Sequence, residues 1–116
     1  KSRCGVSGLL CLGDGTLLVL GREMSIKDGE LLPSCRCRIY AIDFNHADDV
    51  ADVVALKGTA RRPVAKRRLF GAYTGLAMYE GICLGPALAD GSRSVLLISD
   101  GDDGAANRIL ALRLLR

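Results

Sequence analysis

The sequence predicts an all-β fold: antiparallel sheets that make up about two blades of a β-propeller, a piece of a larger ring. Three observations carry this prediction. The apolar runs are short and are cut by Gly, Pro and Asp, which suits strands and not helices. The same three runs come round twice in the same order. The middle run of each set is apolar at consecutive positions, as expected of an inner strand whose sheet is covered on both sides.

Taken in chain order, Gly8 to Leu12 is an apolar run, Gly13-Asp14-Gly15 is a tight-turn signal, and Thr16 to Leu20 is a second apolar run. Together they read as a β-hairpin with both strands largely buried. Gly21 to Pro33 reads as a loop carrying Arg22, Glu23, Lys27, Asp28 and Glu30. Arg36 to Phe44 alternates, with Cys37, Ile39, Ala41 and Phe44 or Ile42 set against Arg36, Arg38 and Asp43. A period of two means one face buried and one face wet. Asn45 to Asp49 is a polar turn. Val50 to Leu56 is weaker and reads as an outer strand, with a helical turn as the alternative. Lys57 to Arg68 reads as an exposed connection, and Leu69 to Met78 fits neither strand nor helix cleanly.

The earlier order then returns. Ile82-Cys83-Leu84-Gly85 echoes Leu10-Cys11-Leu12-Gly13, and Asp90-Gly91 echoes Asp14-Gly15. Ser94 to Ile98 echoes Thr16 to Leu20, and Arg108 to Leu112 echoes Arg38 to Ile42. The organisation expected is a first blade at about 5–57, a connection at 58–78 and a second blade at about 79–116. Two blades do not close a ring. The segment is then part of a longer propeller, one of several copies in an assembly, or a small open sandwich. An isolated pair of blades leaves apolar faces and unpaired edges, which favour self-association.

Composition narrows the function classes. A chain of 116 residues is one domain at most, and 49% hydrophobic with 25% charged residues is a globular balance. With no Trp and few aromatics, the core is aliphatic. A net charge of +3, without a basic stripe interleaved with stacking aromatics, gives no case for nucleic acid. No apolar run approaches the ~20 residues of a membrane span. No signal peptide is visible, and a first residue of Lys1 fits a processed protein or a piece of a longer one. Five cysteines leave at least one free thiol, and Cys35 and Cys37 are spaced C-x-C rather than C-x-x-C. With His46 as the single histidine, a structural zinc site is not expected. The cysteines read as small apolar residues, and an oxidising compartment would leave room for one disulfide.

The stretches V-S-G-L-L-x-L-G-D-G-T-L-L-V-L-G-R-E, Y-E-G-I-C-L-G-P, A-D-G-S-R-S-V-L-L-I-S-D and a closing L-A-L-R-L strand resemble the phytase-like domain family, also labelled "esterase-like activity of phytase". The likeness covers nearly all of the chain and corresponds to the C-terminal portion of such a domain. Ser7, Gly8, Arg22, Glu23, Glu80, Gly81, Ser99 and Asp100 match family positions. The sequence departs where the family carries an asparagine before the E-G pair, and its D-D-N becomes Gly101-Asp102-Asp103 with the asparagine displaced to Asn107. The resemblance implies a bacterial protein, periplasmic or secreted, acting on phosphate esters.

The candidate catalytic residues are Glu80, Glu23 and Asp100. Glu80 is either a general acid/base or cation ligand at the mouth of a channel, or a structural acceptor for backbone N–H groups where an inner strand starts. Loops leaving equivalent strands open on the same end of a ring, so Glu23 and Asp100 are expected at one pocket; an Arg22–Glu23 surface pair is the plainer account. Asp100, Asp102 and Asp103 offer oxygen ligands for a hard cation such as calcium. A turn is the competing reading, and an EF-hand is excluded because twelve residues from Asp100 end at Ala111. Arg22, Arg61, Arg62 and Arg67 are the candidate binders of a small phosphorylated substrate, since guanidinium forks match phosphate oxygens; a solvated loop is the alternative. His46 has no G-x-S-x-G partner, and no P-loop is present. The function expected is a phosphoesterase-like hydrolase domain, metal-assisted or not, with a non-catalytic propeller that binds a ligand or partner as the alternative.

Overall fold

Strands β1 (Ser2–Cys11), β2 (Leu17–Ser25), β3 (Ser34–Asp43) and β4 (Ala65–Gly75) hydrogen-bond in that order into one sheet. Strands β5 (Tyr79–Ala87), β6 (Arg93–Ser99) and β7 (Arg108–Leu114) form a second. Every pairing is antiparallel and joins strands adjacent in sequence. This is a computed structural model, and it describes residues 2–101 and 106–115. Among the described residues there is no helix, hence none long and apolar enough to cross a membrane.

The repeated Asp-Gly signal builds the same turn twice. Asp14 Oδ1 accepts from the Thr16 amide at 2.9 Å, and Leu12 N donates to Thr16 O at 3.0 Å. In the second sheet Asp90 Oδ1 accepts from the Ser92 amide at 3.0 Å, and Leu88 N donates to Ser92 O at 2.9 Å. Gly15 and Gly91 follow their aspartates at φ 85° and 79°, in the left-handed region that glycine alone adopts without strain. The β1–β2 and β5–β6 hairpins therefore follow from local chemistry.

The two sheets stack face to face. Leu18, Leu20, Cys37 and Ile39 on sheet one meet Tyr79, Val95 and Leu97 on sheet two. Full burial of one such leucine contributes about 1.5–3 kcal/mol. The echo between middle and third strands holds residue for residue: Leu20 pairs with Ile39, and Ile98 pairs with Ile109. The first strands correct the reading. Leu20 pairs with Gly8 and Ile98 with Gly81, so Cys83 corresponds to Leu10 and not to Cys11. A slip of one residue moves every side chain to the other face, so strand pairing settles what letter similarity cannot.

Two further expectations are corrected. Val50 to Leu56 is not a strand: Val53 N closes a turn on Val50 O at 3.1 Å, and Val54 and Leu56 are exposed. The fourth strand of sheet one is β4, which lies inside the segment read as a connection, so the first sheet extends to Gly75 and past the expected boundary at 57. The reason for the miss is chemical. β4 is an edge strand carrying Lys66, Arg67 and Arg68, and its charged residues mask a period of two. Lys66 lies over the Tyr40 ring, 5.0 Å from its centroid.

Candidate functional site at the junction of the two sheets

The sheets come closest where their first strands meet. A Cβ added at Gly8 would stand 2.8 Å from Ile82 Cγ2 and 3.6 Å from Glu80 O, so only glycine lets β1 approach β5 this closely. Beside it, the Ser7 hydroxyl donates to Tyr79 O at 3.2 Å and reaches Leu20 O at 3.5 Å. Ser7 thereby ties β1 to β5 as well as to β2. Arg22 follows Leu20 by two positions on β2 and so shares its inward face. Its guanidinium Nη1 bonds Glu80 Oε1 on β5. Ser7, Gly8, Arg22, Tyr79 and Glu80, separated in the chain, thus form one cluster at one end of the sandwich.

Alternation explains why Arg22 does not pair with its neighbour Glu23. Adjacent strand residues point to opposite faces, so Glu23 lies on the side turned away from sheet two. There Arg38 Nη2 stands 2.6 Å from Glu23 Oε2, and Ser2 donates to Oε1 at 3.1 Å. The Arg38 guanidinium beside it, then the hydrogen bond from Ser2, hold the Glu23 carboxyl below the usual glutamate range. Glu23 and Glu80 are therefore on opposite sides of sheet one, each with its own arginine.

Asp100 follows β6 and is exposed; the neighbouring Gly101 amide is bonded to Asn107 Oδ1 at 2.8 Å. Asp102 and Asp103 lie outside the described residues. Among the described residues, no three of His, Cys, Asp and Glu come together in a way that would hold a metal ion. Ser99 serves the framework, since its Oγ accepts from Arg108 N at 3.1 Å and so fixes β7 to β6.

The candidate arginines are spread out. Arg62 closes the loop against Asp48, its backbone and side chain bonding that carboxylate at 2.9 and 3.1 Å. These contacts, backbone first, hold the Asp48 carboxyl below its usual range. Arg61 is exposed on the same loop. Arg67 lines a cleft between the sheets with Leu18, Leu112 and Leu114, away from Arg22. The sequence reading missed the Arg22–Glu80 contact. The signal for it was Arg22's place on the inward face, two residues after Leu20, together with Glu80's position beside Gly81, the counterpart of Gly8.

The junction can present two complementary groups at one half-exposed place: a carboxylate able to carry a proton and a guanidinium able to hold an anionic oxygen. Arg22 and Glu80 side chains are 42% and 44% exposed, so both remain within reach of a ligand.

A family model described as "Phytase-like: Esterase-like activity of phytase" matches residues 1–103. The chain belongs to the phytase-like family. The match takes in the whole junction and stops short of β7. No curated protein and no solved structure matches this phytase-like chain. Membership supports a hydrolase-like domain, and the two antiparallel sheets are consistent with propeller blades.

Proposed function

We propose that this phytase-like chain is a phosphoric-ester hydrolase domain whose working groups are Glu80 and Arg22. The observation that carries the reading is the Arg22–Glu80 pair at the mouth of the sheet junction, inside the family match. In this reading an anionic phosphoryl group displaces Glu80 from Arg22, the guanidinium taking phosphoryl oxygens in a bidentate fork. The freed carboxylate then accepts a proton from the attacking water as its oxygen bonds phosphorus in line, the ester P–O bond breaks, and the departing alkoxide takes its proton from solvent. The extracytoplasmic location and bacterial origin implied by the resemblance belong to the same proposal. Calcium enters it only through Asp100 with Asp102 and Asp103, where it would polarise a phosphoryl oxygen.

The test sets turnover of p-nitrophenyl phosphate against that of p-nitrophenyl acetate. The phosphate ester is expected to be the better substrate. Glu80→Gln is expected to lower kcat by about 10²–10⁴, the usual worth of a general base, and Arg22→Met chiefly to raise KM. Phosphatase activity absent in the wild type, or unchanged in Glu80→Gln, overturns the proposal. The second reading, a non-catalytic binding module, is favoured by one observation: Arg22 already neutralises Glu80 and joins the two sheets, as a purely structural clasp would. Calorimetric calcium titration of the wild type and of Asp100→Asn checks the metal arm separately.

A further inference from the structure

The two open faces of the sandwich are the two halves of a single contact. In sheet one, Leu18, Leu20 and Ile39 press on sheet two. By strand register their counterparts in sheet two are Leu96, Ile98 and Ile109, which point the other way. Leu20 and Ile39 are 0% and 3% exposed, whereas Ile98 and Ile109 are 47% and 69% exposed. The receiving role in sheet two falls to Val95, Leu97, Leu110 and Leu112. Their counterparts in sheet one are Leu17, Val19, Tyr40 and Ile42, which together with Val6 and Leu9 form the opposite outer face. Val6 and Leu9 are 67% and 60% exposed. One end of the stack thus presents the pressing face and the other end the receiving face.

We propose that the protein self-associates head to tail, the Leu96–Ile98–Ile109 face of one copy seated on the Val6–Leu9–Tyr40 face of a second copy. The contact continues the sheet-on-sheet interface already present within the chain, with the same rows in register. At the junction end the electrostatics allow it. Asp100 stands where sheet one has Arg22, and Ser7 stands where sheet two has Glu80. At that position the contact between copies lacks the ion pair and sets Asp100 beside an uncharged serine; the receiving face also carries the cations Arg38 and Lys66, and apolar burial drives the contact. Because the two faces differ, the contact is heterologous. It either closes into a ring or propagates. This inference stands on strand register and exposure and is independent of the hydrolase reading.

Sedimentation velocity over a range of protein concentrations tests it. The wild type is expected to gain mass with concentration. Ile98→Asp combined with Ile109→Asp blocks one face, and Leu9→Asp blocks the other, so each variant alone is expected to stay monomeric. Mixed together they are expected to form a one-to-one pair and nothing larger, because one intact face of each kind remains. Circular dichroism on each variant checks folding; Leu9→Lys alone replaces Leu9→Asp, and Ile109→Lys alone replaces the Ile98→Asp, Ile109→Asp variant, where either fails it. A wild type that is monomeric throughout, a single-face variant that still pairs with itself, or a mixture that stays monomeric overturns the proposal.

Discussion

Sheet one and sheet two share a turn, a strand order and a register, yet equivalent residues have different surroundings. Leu20 and Ile39 are enclosed, while Ile98 and Ile109 face outward. Nothing in the chemistry of leucine against isoleucine explains that. The difference lies in the neighbour: sheet one has sheet two against its inward face, and the corresponding face of sheet two has nothing from this chain's described residues on it. The first strands show the same contrast. Gly8 is pressed against Ile82 and the β5 backbone, whereas Gly81 meets only the outward side chain of Ile98. Equal sequence signals therefore carry unequal energies.

The widest separation is expected from Leu20→Ala and Ile98→Ala, compared by urea denaturation. Leu20→Ala removes enclosed atoms and should cost about 2–5 kcal/mol. Ile98→Ala should fall within about 0.5 kcal/mol of wild type at concentrations where the chain is monomeric. Equal losses would mean that both faces are enclosed. A smaller contrast should separate Gly8→Ala from Gly81→Ala. The first forces a methyl against Ile82 and should cost about 1–3 kcal/mol by overpacking. The second meets Ile98 Cγ2 at 2.6 Å, but that side chain is exposed and free to turn aside, so the loss should be smaller.

Smaller still is the ion pair across the junction. Both partners are more than one-third exposed, so Arg22→Met should lower stability by no more than about 1 kcal/mol, and added salt should shrink even that difference. A large, salt-independent loss would make the pair a structural clasp first and a chemical site second.

Glu23 gives a pH signature on the other face of sheet one. Its folded pKa lies below the unfolded value of about 4.3. Its contribution is therefore present above that value and is lost as pH falls through the lower, folded pKa. Glu23→Gln should flatten this part of the acid decline in thermal melts between about pH 4.3 and more acidic values; an unchanged slope would remove the Arg38 contact as its cause. Lastly, burial raises the thiol pKa of Cys37 and Cys35. Native alkylation followed by mass spectrometry should label Cys4, Cys11 and Cys83 quickly and leave those two protected. Rapid labelling of Cys37 would show that the interface between the sheets opens readily.

Much of the architecture was legible in the residues. Asp14-Gly15 and Asp90-Gly91 specify their own turns through a local carboxylate–amide bond, and the apolar runs beside them need no distant partner to be strands. β4 was illegible because its first half, Ala65 to Leu69, is exposed and charged, and only from Phe70 onward does one side of it turn to the core. The candidate site was half legible. Glu80 and Arg22 each stand out in the sequence, but their linear order offers only Glu23 as a neighbour for Arg22, whereas alternation places Arg22 on the inward face and Glu23 on the outward one.

From the sequence by itself come the three repeated strands of each sheet and the Asp-Gly hairpins, because each depends on interactions over a few residues or on a repeated pattern. Only the tertiary structure decided which arginine meets which carboxylate, which glycine must stay a glycine, and which of two equivalent apolar rows is covered. Those depend on the one-residue register of the first strands and on the approach of β1 to β5, across separations in the chain that no local pattern encodes.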